Sequence, residues 1–159
     1  MDDDIFRQVL ASFPTGVVIV TALDGKGEPA GLTVSAFCSV SARPPLVLVC
    51  LDNGSNTLQA VRESGAYTVN ILSAERQEVA LLFASKRTDK FAAIESVSPR
   101  LAKAGPVLHR DVAAHAACEV RDARQCGDHW VLIGEVVEAD FDEQADSLLY
   151  HRRAFASIG

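Results

Sequence analysis

The sequence predicts a mainly β fold, an antiparallel barrel with a few helices packed outside it. Three observations carry this expectation. Short strand-like runs recur along the chain, at 17–21, rich in β-branched residues, at 46–51, apolar throughout, and at 67–72. Two long extended segments, 113–124 and 130–141, are separated only by a turn over 125–128, the pattern of an antiparallel hairpin. Strands also fail to alternate regularly with helices, which argues against a doubly wound parallel sheet.

The chain of 159 residues fits a single domain. A domain near this size buries enough surface to need no disulfide or metal staple. Apolar residues make up 48% and charged residues 23%, which excludes intrinsic disorder. Fifteen Lys and Arg stand against 21 Asp and Glu, a net charge of −6. Such a chain is a poor partner for nucleic acid or for an anionic membrane, because both are held through Lys and Arg. The acidic start carries no secretory pattern, and the apolar runs at 46–51 and 79–84 are far too short to span a bilayer. The expectation is a soluble cytoplasmic protein. Four cysteines at 38, 50, 118 and 126 form no CxxC pair and match no zinc spacing. Cys50 and Cys118 read as small buried hydrophobes.

Residues 2–12 read as a helix, with Asp2, Asp3 and Asp4 suited to its N-terminus and Ile5, Phe6, Val9, Leu10 and Phe13 at helical spacing. Pro14 stops it. A strand over 17–21 is followed by the turn Asp24-Gly25-Lys26-Gly27 and a second strand running through 32–40, ended by Pro44-Pro45. Residues 46–51, apolar throughout, read as a third strand buried on both faces. Ser55 is placed to cap a helix carrying Leu58 and Val61 and closed by Gly65. A fourth strand covers 67–72. Ser73 reads as the cap of another helix with Val79, Leu82 and Phe83 inward. Residues 85–106 read as a long loop, and after the hairpin come short extended pieces at 148–150 and 155–158. The sum is six or seven strands and two or three short helices.

Some tempting patterns fail on context. Gly25-Lys26-Gly27-Glu28-Pro29-Ala30 fits a loose dinucleotide fingerprint, but a strand follows where a helix is needed. There is no GxSxG elbow, HExxH, P-loop or acidic calcium loop, and nothing calls for a metal.

Three segments carry chemistry. In Gly31-Leu32-Thr33-Val34-Ser35-Ala36-Phe37-Cys38-Ser39-Val40-Ser41, hydroxyls recur at odd positions, and odd positions of one strand share a face. That face is either the wetted side of an amphipathic strand or a platform for a flat polar heterocycle. Asp52-Asn53-Gly54-Ser55-Asn56-Thr57 sets hydroxyls, an amide and backbone N–H groups at a helix N-terminus, either as a simple cap or as a phosphate site. Gly127-Asp128-His129 makes a tight turn that ends on a histidine, ordinarily a solvated one.

Together these segments resemble the flavin reductase-like family, the short-chain reductases that supply reduced flavin to two-component monooxygenases. The resemblance runs in order along nearly the whole chain. It begins at Phe13-Pro14-Thr15-Gly16-Val17 and Val20-Thr21, then takes in the segment from Thr33 to Leu46 and Ser55-Asn56-Thr57. It continues through Val69-Asn70-Ile71-Leu72, Asp89-Lys90-Phe91, Gly127-Asp128-His129 and Gly134-Glu135-Val136 to Leu149-Tyr150-His151-Arg152. The double proline and the Gly-Asp-His turn are its most specific parts.

The resemblance implies one flavin reductase-like domain over 1–159, with an antiparallel split β-barrel of the FMN-binding type. It implies a homodimer with sites near the subunit interface, oxidation of NADH or NADPH, reduction of FMN or FAD, and a separate flavin-dependent monooxygenase as recipient. By that similarity Thr33, Val34, Ser35, Ala36, Cys38 and Ser39 line the isoalloxazine and ribityl chain. Ser55, Asn56 and Thr57 hold the flavin phosphate with Lys90 nearby, Phe91 packs close to the flavin, and His129 is the catalytic-site residue on the nicotinamide side. Two departures stand out. Ala36 replaces a customary Ser, and Tyr150-His151-Arg152-Arg153-Ala154-Phe155 replaces a customary Tyr-His-Arg-Gly-Arg-Tyr. Two other readings stay open: a flavoprotein that keeps FMN and oxidises or oxygenates its own substrate, and a flavin- or haem-binding module without turnover.

Overall fold

The structure, a computed structural model, describes residues 1–94 and 104–158. The elements run α1 (Asp3–Ala11), β1 (Thr15–Gly16), β2 (Val18–Leu23), β3 (Pro29–Val34), β4 (Phe37–Ala42), β5 (Pro45–Asp52) and α2 (Asn56–Ser64). They continue with β6 (Ala66–Leu72), α3 (Gln77–Ala84), β7 (Val112–Cys126), β8 (His129–Phe141), β9 (Leu148–His151) and β10 (Ala154–Ser157).

One sheet has seven strands in the order β3-β2-β6-β7-β8-β5-β4, and every pairing is antiparallel. Its two outermost strands, β3 and β4, follow one another in the chain with only Ser35 and Ala36 between them. That short step forces the sheet to curl round a single interior. Val20, Val34, Val49, Leu51, Tyr67, Val69, Cys118 and Leu132 meet there, with Leu58 and Val61 of α2 closing one end. A second apolar cluster lies on the other side of β2 and β6, where α3 covers Val17, Ile19 and Leu72 with Val79, Ala80 and Phe83. A small sheet, β1-β9-β10, flanks it.

The helix signals in the sequence act as expected at two ends. Asp2 Oδ1 accepts from the N–H groups of Asp4 and Ile5 at 2.9 and 3.0 Å, which satisfies two orphan donors of α1. Ser55 Oγ does the same for Thr57 and Leu58, and Gly65 closes α2 in the left-handed conformation, at φ 74°. Asp24 Oδ1 accepts from Lys26 and Glu28 N–H, and Gly27 sits at φ 80°, so the loose glycine fingerprint is the β2–β3 turn.

Three expectations are corrected. The strand over 32–40 breaks at Ser35 and Ala36, so its odd-numbered hydroxyls do not share one face. Residues 46–51 are not buried on both sides. Val49 and Leu51 are fully buried, while Leu46, Leu48 and Cys50 on the opposite face are half-exposed. The strand buried on both faces is β2, sandwiched between the barrel interior and α3. Ser73 caps no helix. It bridges Ser147, and α3 starts after Arg76 without a side-chain cap.

The long loop over 85–106 is also not simply a surface excursion. Its residues 95–103 lie outside those described, but Ala104 to Leu108 are buried against the barrel. Thr21 Oγ1 donates to Pro106 O and Thr68 Oγ1 to Gly105 O, both at 2.7 Å. Asn70 donates to Ile19 O and accepts from Leu108 N–H at 3.0 Å. Three buried polar side chains thus satisfy backbone that would otherwise be orphaned. They pin the returning segment across β2 and β6, whose outer face it helps to cover.

Candidate functional site

A cleft of about 990 Å³ opens between α2, the β2–β3 turn and residues 84–91. Ser55, Asn56 and Thr57 line one side, and Lys90 and Phe91 line the other. The sequence therefore named residues from both walls. The β5–α2 loop keeps its shape through its own backbone. Asp52 Oδ1 accepts from Gly54 N–H at 2.8 Å, and Asp52 O accepts from Ser55 N–H at 3.1 Å. Lys90 is half-buried. Its ammonium donates to Gly31 O at 3.1 Å and Phe83 O at 2.9 Å, and burial lowers its pKa from the usual lysine value. Phe91 packs edge-on against Phe83, with ring centroids 5.1 Å apart. Both residues brace the cleft wall as well as lining it.

The other expected site residues lie elsewhere. Thr33 Oγ1 donates to Ala80 O at 2.6 Å, which ties β3 to α3, and Val34 belongs to the barrel core. Ser35 and Ala36 are exposed at the step between β3 and β4. Ser35 lines a smaller depression of about 210 Å³ with Phe13, Thr15 and Tyr150. Ser39 is exposed beside a register shift in β4.

Cys38 points to the outer face of the sheet. Strand register puts it there with Cys50 and His129: Cys38 pairs with Leu48, Cys50 with Val131, and Asp52 with His129. Cys50 is half-buried rather than fully buried, and burial, then its neighbours Cys38 and Cys126, push its thiol pKa up. Cys118 is buried as expected.

His129 is joined to the β5–α2 loop by more than one bond. It pairs directly with Asp52 in the β5–β8 ladder. Asn53 N–H donates to Asp128 O at 2.9 Å, and the Trp130 indole donates to Asn53 Oδ1 at 3.0 Å. Arg62 of α2 lies 4.5 Å over the Trp130 ring. The His129 ring nitrogen Nδ1 is 2.7 Å from Asp128 Oδ1, and this contact holds the Asp128 carboxyl below the usual carboxylate range. With Nδ1 so engaged, Nε2 is the ring nitrogen left to meet a ligand.

The sequence gives no sign of Trp130 and Arg62 at the site, nor of the tie that Asp52 and Asn53 make to the His129 turn. They have no motif, and only the β5–β8 register brings them together. The far wall of the cleft, including Lys26, Gln59, Glu63, Lys86 and Thr88, was also missed, because three separate segments build it.

Comparison with known proteins decides the family. The family model described as "Flavin reductase like domain" matches residues 10–159. The chain belongs to the flavin reductase-like family. It is 41% identical over 157 residues to a flavin reductase (NADH) of Kitasatospora aureofaciens, covering 98% of this chain and 82% of that protein. It is 35% identical to the flavin-dependent monooxygenase reductase subunit HsaB of Rhodococcus jostii, covering 99% and 79%. The structure is similar to that of the Streptomyces globisporus NADH:FAD oxidoreductase in complex with NAD and FAD fragments, with a TM-score of 0.91 and 29% identity over 99% of this chain and 93% of that one. The antiparallel split barrel that the resemblance implied is thus the fold of this flavin reductase-like chain.

The donor set suits a flavin. Asn56, the first residue of α2, lines the cleft with Lys26, Lys86 and Lys90. Hard donors and cations of this kind match phosphate oxygens. Among the described residues no group of three or more His, Cys, Asp or Glu is placed to hold a metal ion, and no helix is long and apolar enough to cross a membrane.

Proposed function

We propose that this chain is an NAD(P)H-dependent flavin reductase that passes reduced flavin to a separate monooxygenase. One observation supports it above the rest: the phosphate-type loop at Asp52 to Thr57 and the His129 turn are a single hydrogen-bonded unit at the mouth of a nucleotide-sized cleft. A flavin bound there would supply the redox chemistry, as the acceptor of a hydride from a nicotinamide nucleotide. The residues of the chain bind and align. Asn56 and Lys90 hold phosphate, and the backbone from Ser35 to Ser39 supports the flavin ring. Cys38 and His129 share the outer sheet face, and His129 directs Nε2 at the pyridine nucleotide. Alignment of two planar rings is itself a large rate factor, so no protein base has to move a proton.

The working form is a homodimer. Helix α1 buries none of its residues, and Ile5, Phe6, Val9, Leu10 and Phe13 are all more than half exposed. Five large apolar side chains on and just after one short helix favour a protein partner over water. A second copy of the chain is that partner, and Val9→Asp should leave a monomer in analytical ultracentrifugation. A dimer that persists in Val9→Asp would place the interface elsewhere.

The activity is tested by NADH oxidation with FMN, FAD or no flavin added. Turnover that depends on added flavin supports a diffusible-flavin reductase. Turnover without added flavin supports the flavoprotein reading, and flavin binding with no oxidation of NADH or NADPH supports a binding module.

A further inference from the structure

We propose that the protein takes FAD in preference to FMN, and that the adenylate half of FAD lies in the cleft between α2 and residues 84–91. This rests on the flavin-reductase reading above. Ser35, Ala36, Cys38 and Ser39, the residues implied for the flavin ring, do not line the cleft; they lie on the β3–β4 step and along β4, with Cys38 on the outer sheet face that carries His129. The phosphate loop does line it. A flavin with its ring near Cys38 and His129 therefore reaches the cleft only with its phosphate. FMN ends at that phosphate and leaves the volume beyond it unused. FAD continues with a second phosphate, a ribose and an adenine.

The other residues that line the cleft fit that remainder. Lys26 and Lys86 offer ammonium groups to a second phosphate. Leu32 and Phe91 give an apolar surface for a flat base, and Gln59 and Thr88 give polar groups for its edge and the ribose.

The walls are also tied in place. Glu63 Oε2 accepts from Gly25 N–H at 2.6 Å, and Gln59 donates to Glu63 Oε1 at 3.0 Å, so α2 is fastened to the β2–β3 turn. Lys90 fastens the opposite wall to Gly31 and Phe83. A preformed cleft costs little ordering entropy on binding.

The test is isothermal titration calorimetry of FMN and FAD against the wild-type protein and Thr88→Trp, an exposed position whose enlarged side chain would fill the cleft. The expected result is FAD binding at least about tenfold tighter than FMN. In Thr88→Trp the FAD affinity should drop to that of FMN, with FMN within about twofold of wild type. Gln59→Trp should behave alike, which guards against a folding defect in one variant. Equal affinity for the two flavins in the wild type overturns the proposal. So does an equal loss of both flavins in the two variants, because it would put the ring itself in the cleft. Binding of neither flavin to the wild type overturns the flavin-reductase reading and this proposal with it, and is distinguishable from both.

Discussion

A side-chain carbon on Gly134 would lie 2.5 Å from the Tyr67 hydroxyl oxygen and 2.8 Å from Cys118 Cβ. Gly134 in β8 is thus the space that the Tyr67 ring occupies. Tyr67 is fully buried, and its hydroxyl has no hydrogen-bond partner among the described residues. The Gly134-Glu135-Val136 segment that contributed to the family resemblance therefore has a packing reason. Gly134→Ala should destabilise the fold by about 1–3 kcal/mol through overpacking. Tyr67→Phe alone should be close to neutral or stabilising, because it removes a buried polar atom with nothing to bond. In the double variant the ring at position 67 carries no oxygen at the point of collision, so the two effects should fall short of additive. Urea unfolding of the four proteins measures this. Full additivity would show that the steric relationship between the two positions does not matter.

His129 is held by Asp128 through Nδ1 and by Asp52 through the strand ladder, and it stands on the outer sheet face, outside the residues that line the cleft. Its substitution should therefore act on the pyridine nucleotide and spare the flavin. His129→Ala is expected to lower kcat/KM for NADH by about tenfold or more, with flavin affinity within about twofold. Stopped-flow reduction of the flavin, read beside a flavin titration, separates the two. A matching loss of flavin affinity would move His129 to the flavin side.

Much of the fold was legible because local chemistry decides it. Asp2, Ser55 and Gly65 mark helix ends by satisfying backbone groups, and the β7–β8 hairpin follows from two long extended segments round Gly127, which sits at φ 63°. The break at Ser35 and Ala36 was not legible, since neither residue is a Gly or Pro and the turn is imposed by closure of the barrel. The burial of β5 is not legible, because a run of apolar residues is compatible with one covered face or two. Only the fold shows that Leu46, Leu48 and Cys50 face outward. At the candidate site, the loop from Asp52 to Thr57 could be read as one contiguous segment. The opposite walls and the Asn53–Trp130 link could not, because they join residues far apart in the chain.

The departure at Arg153 has a structural consequence. Strands β9 and β10 are joined by Arg152 and Arg153 alone, and both have positive φ, at 48° and 64°. A two-residue turn with both φ values positive matches the twist of the flanking strands, and it favours Asn followed by Gly. The resembling family customarily has Gly where this chain has Arg153. The left-handed region costs a residue with a side chain about 1–2 kcal/mol, and Gly returns part of that gain as chain entropy. Arg153→Gly should therefore stabilise the protein by about 0.5–1 kcal/mol, seen as a raised urea midpoint at unchanged slope. A lowered midpoint would mean that the Arg153 side chain makes a contact worth more than the strain.

The same Tyr67–Cys118 pocket makes stability sensitive to alkali. Burial pushes the Cys118 thiol up from its ordinary 9.0 to about 12, and burial also raises the Tyr67 phenol. Both groups must stay protonated in the fold but ionise once unfolded. Between about pH 9 and 12 the folded state therefore binds more protons than the unfolded state, so stability falls as pH rises. Below pH 9 the Cys118 contribution is fully present. Each such group should cost on the order of 1.4 kcal/mol per pH unit within its window. Cys118→Ala should lose some packing at pH 8, since it leaves a small void, but lose less stability than wild type between pH 9 and 10.5. Adding Tyr67→Phe should flatten any phenol contribution that sets in above its ordinary value of 10.0. Urea unfolding at pH 8, 9.5 and 10.5 gives the slopes. If wild type and Cys118→Ala lose stability in parallel, the alkaline sensitivity does not come from Cys118.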